Sequence, residues 1–445
     1  MTTRTRLERA SVSRLVLIAV VLHLTLTMVI YASGRRAITP AIDQNGCTIT
    51  ISPDCAIYVS EVSSLAEVLA SKGPLAWLRS PAKIHVRIYS VPCAILGPWL
   101  SVNILSAEPF NLLYYLAILA LTFHIGKQLF NRRVGLIASL VLAVWPSFLV
   151  HTTQILKDPL FITAFLSVVL VIAVWLTKSL SWLEGLAMAV AGVGAIYIIS
   201  LARSGFWGPI MLAIMVIALG LVLIRQRREK RILWANIASA ILVLMASITV
   251  LHYASESFVA QLPASKANAA SAQSGLSLRQ RVNLRAIRLS QVRAAWLGYH
   301  SNAGSNIDTD VEFKNITDVV RYIPRAWAIG FLTPFPNQWI ASGQQVGLTG
   351  RLLSGFEMSA MYIIELLALF GLWRSRSNLG AWLLFGAALT AITALALAVM
   401  NLGSLYRFRY AFFILMTLLG AQGLMQLIAF SKLGNLEGMK KASGS

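Results

Sequence analysis

Ten runs of mostly apolar residues recur along this chain, at about 13–34, 109–130, 134–152, 160–177, 183–202, 206–224, 232–253, 355–373, 380–400 and 410–430. A bilayer offers no water to satisfy backbone N–H and C=O groups, so a span must bond them internally. A helix of ~20 apolar residues does this while crossing the hydrocarbon core. The pattern therefore predicts an all-α polytopic membrane protein with about ten transmembrane helices. The chain is 57% hydrophobic and only 12% charged, whereas soluble domains carry roughly 25% charge. A soluble fold is excluded.

Charge orients the spans, because short cytoplasmic segments concentrate Lys and Arg. Arg4, Arg6 and Arg9 precede the first run, with Arg14 at its edge, which puts the N-terminus inside. That run is longer than the ~7–15 residue core of a cleaved signal, so it reads as an uncleaved anchor. The inner turns then carry Lys127, Arg132 and Arg133; Lys178; Arg225, Arg227, Arg228, Lys230 and Arg231; Arg374 and Arg376; and Lys432, Lys440 and Lys441. Both termini of this multi-pass chain come out cytoplasmic. Residues 35–107, 153–159, 203–205, 254–354 and 401–409 fall outside. The chain divides into a core with its first external loop (1–253), a long external loop (254–354), and the last spans with a short tail (355–445).

The outer segments are basic too, and the net charge is +21. Lys157, Arg203, Arg321, Arg325, Arg351, Arg407 and Arg409 lie there, most of them near helix ends. Snorkelling of long side chains accounts for about half of them. An anionic ligand on the outer face accounts for the rest. No Walker or Rossmann glycine pattern, internal repeat or His-x-x-x-His pair is present, and nothing in the pattern asks for nucleic acid as a partner.

In the first external loop, Val59, Val62, Leu65, Ala66 and Leu69 recur at helical spacing, predicting a helix on the membrane surface. The run Tyr89–Leu105, broken by Pro92, Gly97 and Pro98, predicts a second interfacial helix. Cys47 and Cys55 either form a disulfide, if the loop faces an oxidising compartment, or remain two free thiols. The long loop holds an Ala/Ser-rich linker, Ala264–Ser277, and then a helix bearing Arg279, Arg281, Arg285, Arg288 and Arg293, expected against lipid head groups. Asp308, Asp310 and Glu312 follow; they line one face if extended, but a solvated loop is the plainer expectation. Val319–Ile340, broken by Pro324, Pro334 and Pro336, reads as interfacial or re-entrant.

Two stretches could carry chemistry. Asp54 follows Pro53 just before the first surface helix, close to Tyr58. A carboxylate there can serve as a general base or ligate a divalent metal, or simply cap a helix starting near Ala56. Lys157-Asp158-Pro159 joins two apolar runs. Asp-Pro is also a favoured helix start, but a lysine at a helix N-terminus opposes the dipole unless an anion sits nearby. Arg203, Arg407 and Arg409 reach the same face, and an arginine fork suits phosphate. His85 and Arg87 in the first loop, with Tyr58, complete the candidate substrate contacts.

Three stretches together carry a resemblance: Pro53-Asp54…Tyr58 soon after the first span; Trp145-Pro146-Ser147…Lys157-Asp158-Pro159-Leu160-Phe161; and Asn401-Leu402-Gly403…Tyr406-Arg407-Phe408-Arg409-Tyr410. In these the chain resembles the GT-C glycosyltransferases, especially bacterial relatives of protein O-mannosyltransferases and lipid A aminoarabinose transferases. The resemblance covers most of the chain, 13–205 above all. It implies sugar transfer from a polyprenyl-phosphate-linked donor to a glycan, lipid or protein acceptor at the outer membrane face, among membrane lipids. Asp54 would be the first-loop catalytic acid and Asp158 the second acidic position. The lone Asp54, where many members carry an adjacent pair, leaves metal dependence open, and no large C-terminal soluble domain follows. A polyprenyl-linked oligosaccharide polymerase or ligase, needing no carboxylate base, is the alternative. A flippase or transporter fits less well, since the spans are largely uncharged apart from Glu357 and Glu365 in one of them.

Overall fold

A computed structural model describes residues 3–49, 51–203, 207–260, 277–299, 304–340 and 347–442. The linker expected at Ala264–Ser277 lies outside them, apart from Ser277. Helices dominate, and among the described residues the only β-pairing is two isolated bridges, Ile42–Thr48 and Asn306–Asn401. In chain order the helices are α1 Thr3–Arg35, α2 Asp54–Arg79, α3 Ile84–Leu100, α4 Ile104–Leu129, α5 Arg132–Ala143, α6 Pro146–Thr152, α7 Asp158–Thr177 and α8 Trp182–Ala202. They continue with α9 Trp207–Glu229, α10 Trp234–Ala260, α11 Leu278–Tyr299, α12 Ile316–Leu332, α13 Gly347–Arg374, α14 Leu379–Ala398, α15 Leu402–Phe408 and α16 Tyr410–Ala442.

Nine helices among the described residues are long and apolar enough to cross a membrane. The expected run at 134–152 is not one continuous helix, though its two pieces together are long and apolar enough to make a tenth span. It breaks into α5 and α6, which bend by 73° at Val144–Trp145. Pro146 is the cause: it lacks an N–H to continue α5 and is at home in the first turn of a new helix. The carbonyl of Ala143 at the break accepts the Tyr115 hydroxyl at 2.8 Å. The first external loop holds two helices: α2 buries Tyr58, Val59, Val62, Leu65 and Ala66, and α3 runs from Ile84 to Leu100 rather than over the expected Tyr89–Leu105, with α4 starting at Ile104.

The chain forms two compact units, Met1–Val171 with Tyr197–Arg203, and Ile172–Ile196 with Ser204–Ser445. In the first, α1 and α4 are clasped through His23 Nδ1 and Glu108 Oε1 at 2.8 Å, with the Thr27 hydroxyl donating to Glu108 Oε2 at 3.1 Å. Both members of the pair are buried; a pairing of this kind replaces water for two polar groups at bilayer depth. Gly46, at φ 81°, meets α4 so closely that a Cβ there would lie 2.6 Å from the Ile104 side chain. In the second unit, α13 and α16 approach until a Cβ on Gly423 would lie 1.9 Å from the Leu367 carbonyl oxygen. Small residues permit this contact, which lipid-embedded helices use because water drives no hydrophobic association there.

Candidate active site

In the first unit a disulfide joins Cys47 and Cys55, closing a loop with Cα atoms 5.6 Å apart. Gln154 fastens this loop to the segment before α7: the Thr48 N–H donates to its Oε1 at 2.9 Å, and its Nε2 donates to the Gly46 carbonyl at 3.3 Å. α2 begins at Asp54 itself, with Pro53 as N-cap, so Asp54 is not the cap of a helix starting near Ala56. Its carboxylate sits in the first turn, where the helix dipole favours negative charge. Tyr58 follows one turn later on the same side and is buried.

The other half of the site is the segment leading into α7. Asp158 is the first residue of α7 and only 3% exposed. Its Oδ1 accepts a hydrogen bond from Nη2 of Arg203, the residue that follows α8. The Arg203 guanidinium also lies over the Phe161 ring, 5.2 Å from its centre. Asp158 thus starts a helix and carries a buried ion pair at once. Lys157, next to it, keeps part of its surface exposed.

His85 ties the two halves together. It lies in the first turn of α3, is 1% exposed, and packs edge-on against Tyr58 with ring centres 4.5 Å apart. Neither ring nitrogen has a hydrogen-bond partner among the described residues. Burial, then Lys157, Lys83 and Arg203, push its pKa down to about 3, against a smaller raising effect of Asp54. Asp54, Tyr58, His85, Lys157, Asp158 and Arg203 therefore share one neighbourhood. Sequence reading left out two members. Lys83, at the N-cap of α3, pairs with Glu61 at 2.9 Å and lies over the Tyr58 ring at 5.6 Å. Gln154 carried no signal at all, being one amide in an apolar stretch.

Three expected contacts lie elsewhere or are otherwise engaged. Arg87 donates to the carbonyls of Trp77, Leu78 and Ser80, closing the C-terminal end of α2. Arg407 and Arg409 belong to the second unit. Arg409 is fully buried, donating to the carbonyls of Gly330 (2.7 Å) and Thr333 and stacked on Tyr406 and Phe413. Arg407 is partly exposed over the Phe408 ring. Also in the second unit, Asp308 accepts from Tyr322 at 2.7 Å and from Arg325 at 2.9 and 3.0 Å. Those bonds, Arg325 first, hold its carboxyl below the usual range. Arg293 is buried rather than turned to lipid, donating to the carbonyls of Leu397 and Asp308. Among the described residues no three His, Cys, Asp or Glu side chains converge as metal ligands.

No family model and no curated protein matches the chain. Among solved structures it is similar to the archaeal oligosaccharyltransferase AglB from Archaeoglobus fulgidus in complex with an inhibitory peptide and a dolichol-phosphate. The identity is 14% and the TM-score 0.43, over 95% of this chain and 52% of that one. It is likewise similar to the Archaeoglobus fulgidus oligosaccharyltransferase in the apo form, at 12% identity and a TM-score of 0.43, over 94% and 52%. The chain spans about half the length of these structures.

Proposed function

We propose that this protein is a membrane glycosyltransferase that moves a sugar from a polyprenyl-phosphate-linked donor to an acceptor hydroxyl at the extracytoplasmic face, with inversion. The observation that carries the reading is the convergence of Asp54 with Lys157 around His85. A carboxylate and a cation there match the two ends of the reaction. Asp54 takes the acceptor proton, the acceptor oxygen bonds to the anomeric carbon, and the bond from that carbon to the phosphate oxygen breaks. The electron pair leaves on the lipid phosphate, where Lys157 meets the growing charge. Electrostatic stabilisation of developing charge usually lowers the barrier of such a reaction more than any other effect. Asp158 and Arg203 neutralise each other, so their part is to fix the start of α7 and hence Lys157. Arg409 has no share in phosphate binding, since its guanidinium is taken up by carbonyls.

The reading is tested by incubating purified protein with a panel of polyprenyl-phosphate sugars and following release of lipid phosphate. Turnover with at least one donor, lost in Asp54→Asn, is expected. An active Asp54→Asn protein overturns the base assignment. No turnover with any donor overturns the transferase itself.

A further inference from the structure

His85 stands out because a buried imidazole normally finds a partner; a polar group left bare away from water costs free energy. Charged and polar groups face it from several elements. α2 contributes Asp54 and Tyr58, with Glu61 engaged by Lys83. On its own helix, Lys83 precedes it, Arg87 is turned to the carbonyls of Trp77, Leu78 and Ser80, and Tyr89 is bonded to Asn111. The segment into α7 contributes Lys157, and the residue after α8 is Arg203, itself held by Asp158. The ring therefore sits buried among cations, with both nitrogens unpartnered among the described residues. An anion that reaches the ring pairs a nitrogen and offsets the cations, leaving burial as what still opposes its protonation.

The chemistry then specifies which anion matters most. Resting on the transferase reading, the donor is a phosphodiester with one negative charge. The leaving lipid phosphate is a monoester that carries up to two. We propose that His85 is the proton-taking partner of the leaving phosphate: it is neutral beside the phosphodiester, and it binds a proton and donates a hydrogen bond once the monoester has formed. Atoms and charge balance. The C–O bond to phosphate breaks, the C–O bond to the acceptor forms, and the acceptor proton passes to Asp54. A second proton, delivered by hydronium or a buffer acid that leaves its conjugate base in the solvent, is then held at His85 against the extra charge on phosphate. A unit negative charge a few ångströms away offsets the neighbouring cations, so this ligand raises the basicity of the ring against the burial that lowers it most. His85 acts directly on the reacting phosphate here, and release of the product waits on loss of that proton.

The test uses the full-length protein in lipid nanodiscs with ring-labelled histidine. The chain has 6 histidines, and His85→Asn identifies the signal by its disappearance. The probes are a short-chain polyprenyl phosphate and its methyl phosphodiester, with binding followed independently by phosphorus NMR. Without probe, the His85 signal should stay in its neutral form well below its ordinary midpoint. The monoester should raise that midpoint toward the ordinary histidine value, and the diester should raise it by clearly less, in the order of their charge. His85→Asn should weaken the monoester by about tenfold near pH 6, the size of a charge-assisted hydrogen bond, and the diester much less. A purely structural histidine would weaken both equally, and that result overturns the proposal. So does monoester binding that leaves the His85 midpoint unmoved, with the transferase reading intact. If neither probe binds, the transferase reading falls, and this inference falls with it.

Discussion

Two aspartate–arginine pairs invite comparison, one in each unit. Asp158 with Arg203 and Asp308 with Arg325 each place the guanidinium over a phenylalanine ring, at 5.2 Å from Phe161 and 5.7 Å from Phe335. Their settings differ. The first pair is 4% exposed on both sides and stands beside a histidine with two open nitrogens. The second is half open to solvent, 47% for Arg325 and 17% for Asp308, and Tyr322 completes the Asp308 shell. Beside the first pair the His85 nitrogens go unpartnered among the described residues, whereas Tyr322 and Arg325 between them satisfy both Asp308 oxygens. Incompleteness under burial, rather than the presence of charge, is what separates a site from a strut.

The comparison breaks first on chemistry. Asp54→Asn should lower turnover by ~100- to 10,000-fold, the usual contribution of a positioned general base, with thermal stability unchanged. Asp308→Asn should leave turnover per folded molecule intact, so a comparable loss of activity there would abolish the distinction. Next in size comes stability. Arg203→Ala strands a buried carboxylate and should cost ~3–5 kcal/mol. Arg325→Ala, where solvent screens the pair, should cost about 1 kcal/mol or less. Denaturation of the two variants in one detergent checks both values, and equal losses would sink the contrast.

A smaller effect sharpens the comparison through pH. The folded state holds His85 far below its ordinary value of 6.5, at about 3. Between those limits the unfolded chain binds the proton and the folded chain does not. Stability is therefore full above about 6.5 and falls as pH drops toward 3. Asp308 is also depressed, from 3.8, so its contribution is present above that value and lost only as pH falls through the lower folded one. Melting curves from about pH 7 to 4 should thus show an acid-sensitive component that His85→Asn removes and Asp308→Asn leaves in place. A slope unchanged in His85→Asn would show that the ring does not titrate as its setting requires.

The spans are legible in the sequence because lipid demands long apolar helices, and α2 because its apolar residues recur at helical spacing; α3 shows only as an apolar run, which misplaces its ends. The break at Pro146 is not, since composition alone makes 134–152 a continuous run and only the backbone reveals the bend. Asp54 and Lys157 can be nominated from local chemistry. The bond between Asp158 and Arg203 spans 45 residues, and no local signal reports a partner so distant. Arg87 and Arg409 show the reverse failure. A basic residue near a helix end looks free for a ligand, yet both are needed by backbone carbonyls that helix ends and turns leave unsatisfied. The same holds for His23 and Glu108, whose pairing turns two costly intrusions into a clasp.

Cys55 is the residue immediately after Asp54, and Cys47 lies beside the backbone that Gln154 holds. Oxidation of these two thiols therefore fixes the first turn of α2, and with it the direction of the carboxylate. The crosslink thus holds the start of α2 and the backbone that Gln154 binds in one register, and bonds of this kind persist in oxidising surroundings. Cys47→Ser should leave the helices in place while freeing the start of α2, a separation that circular dichroism and turnover, measured side by side, would register.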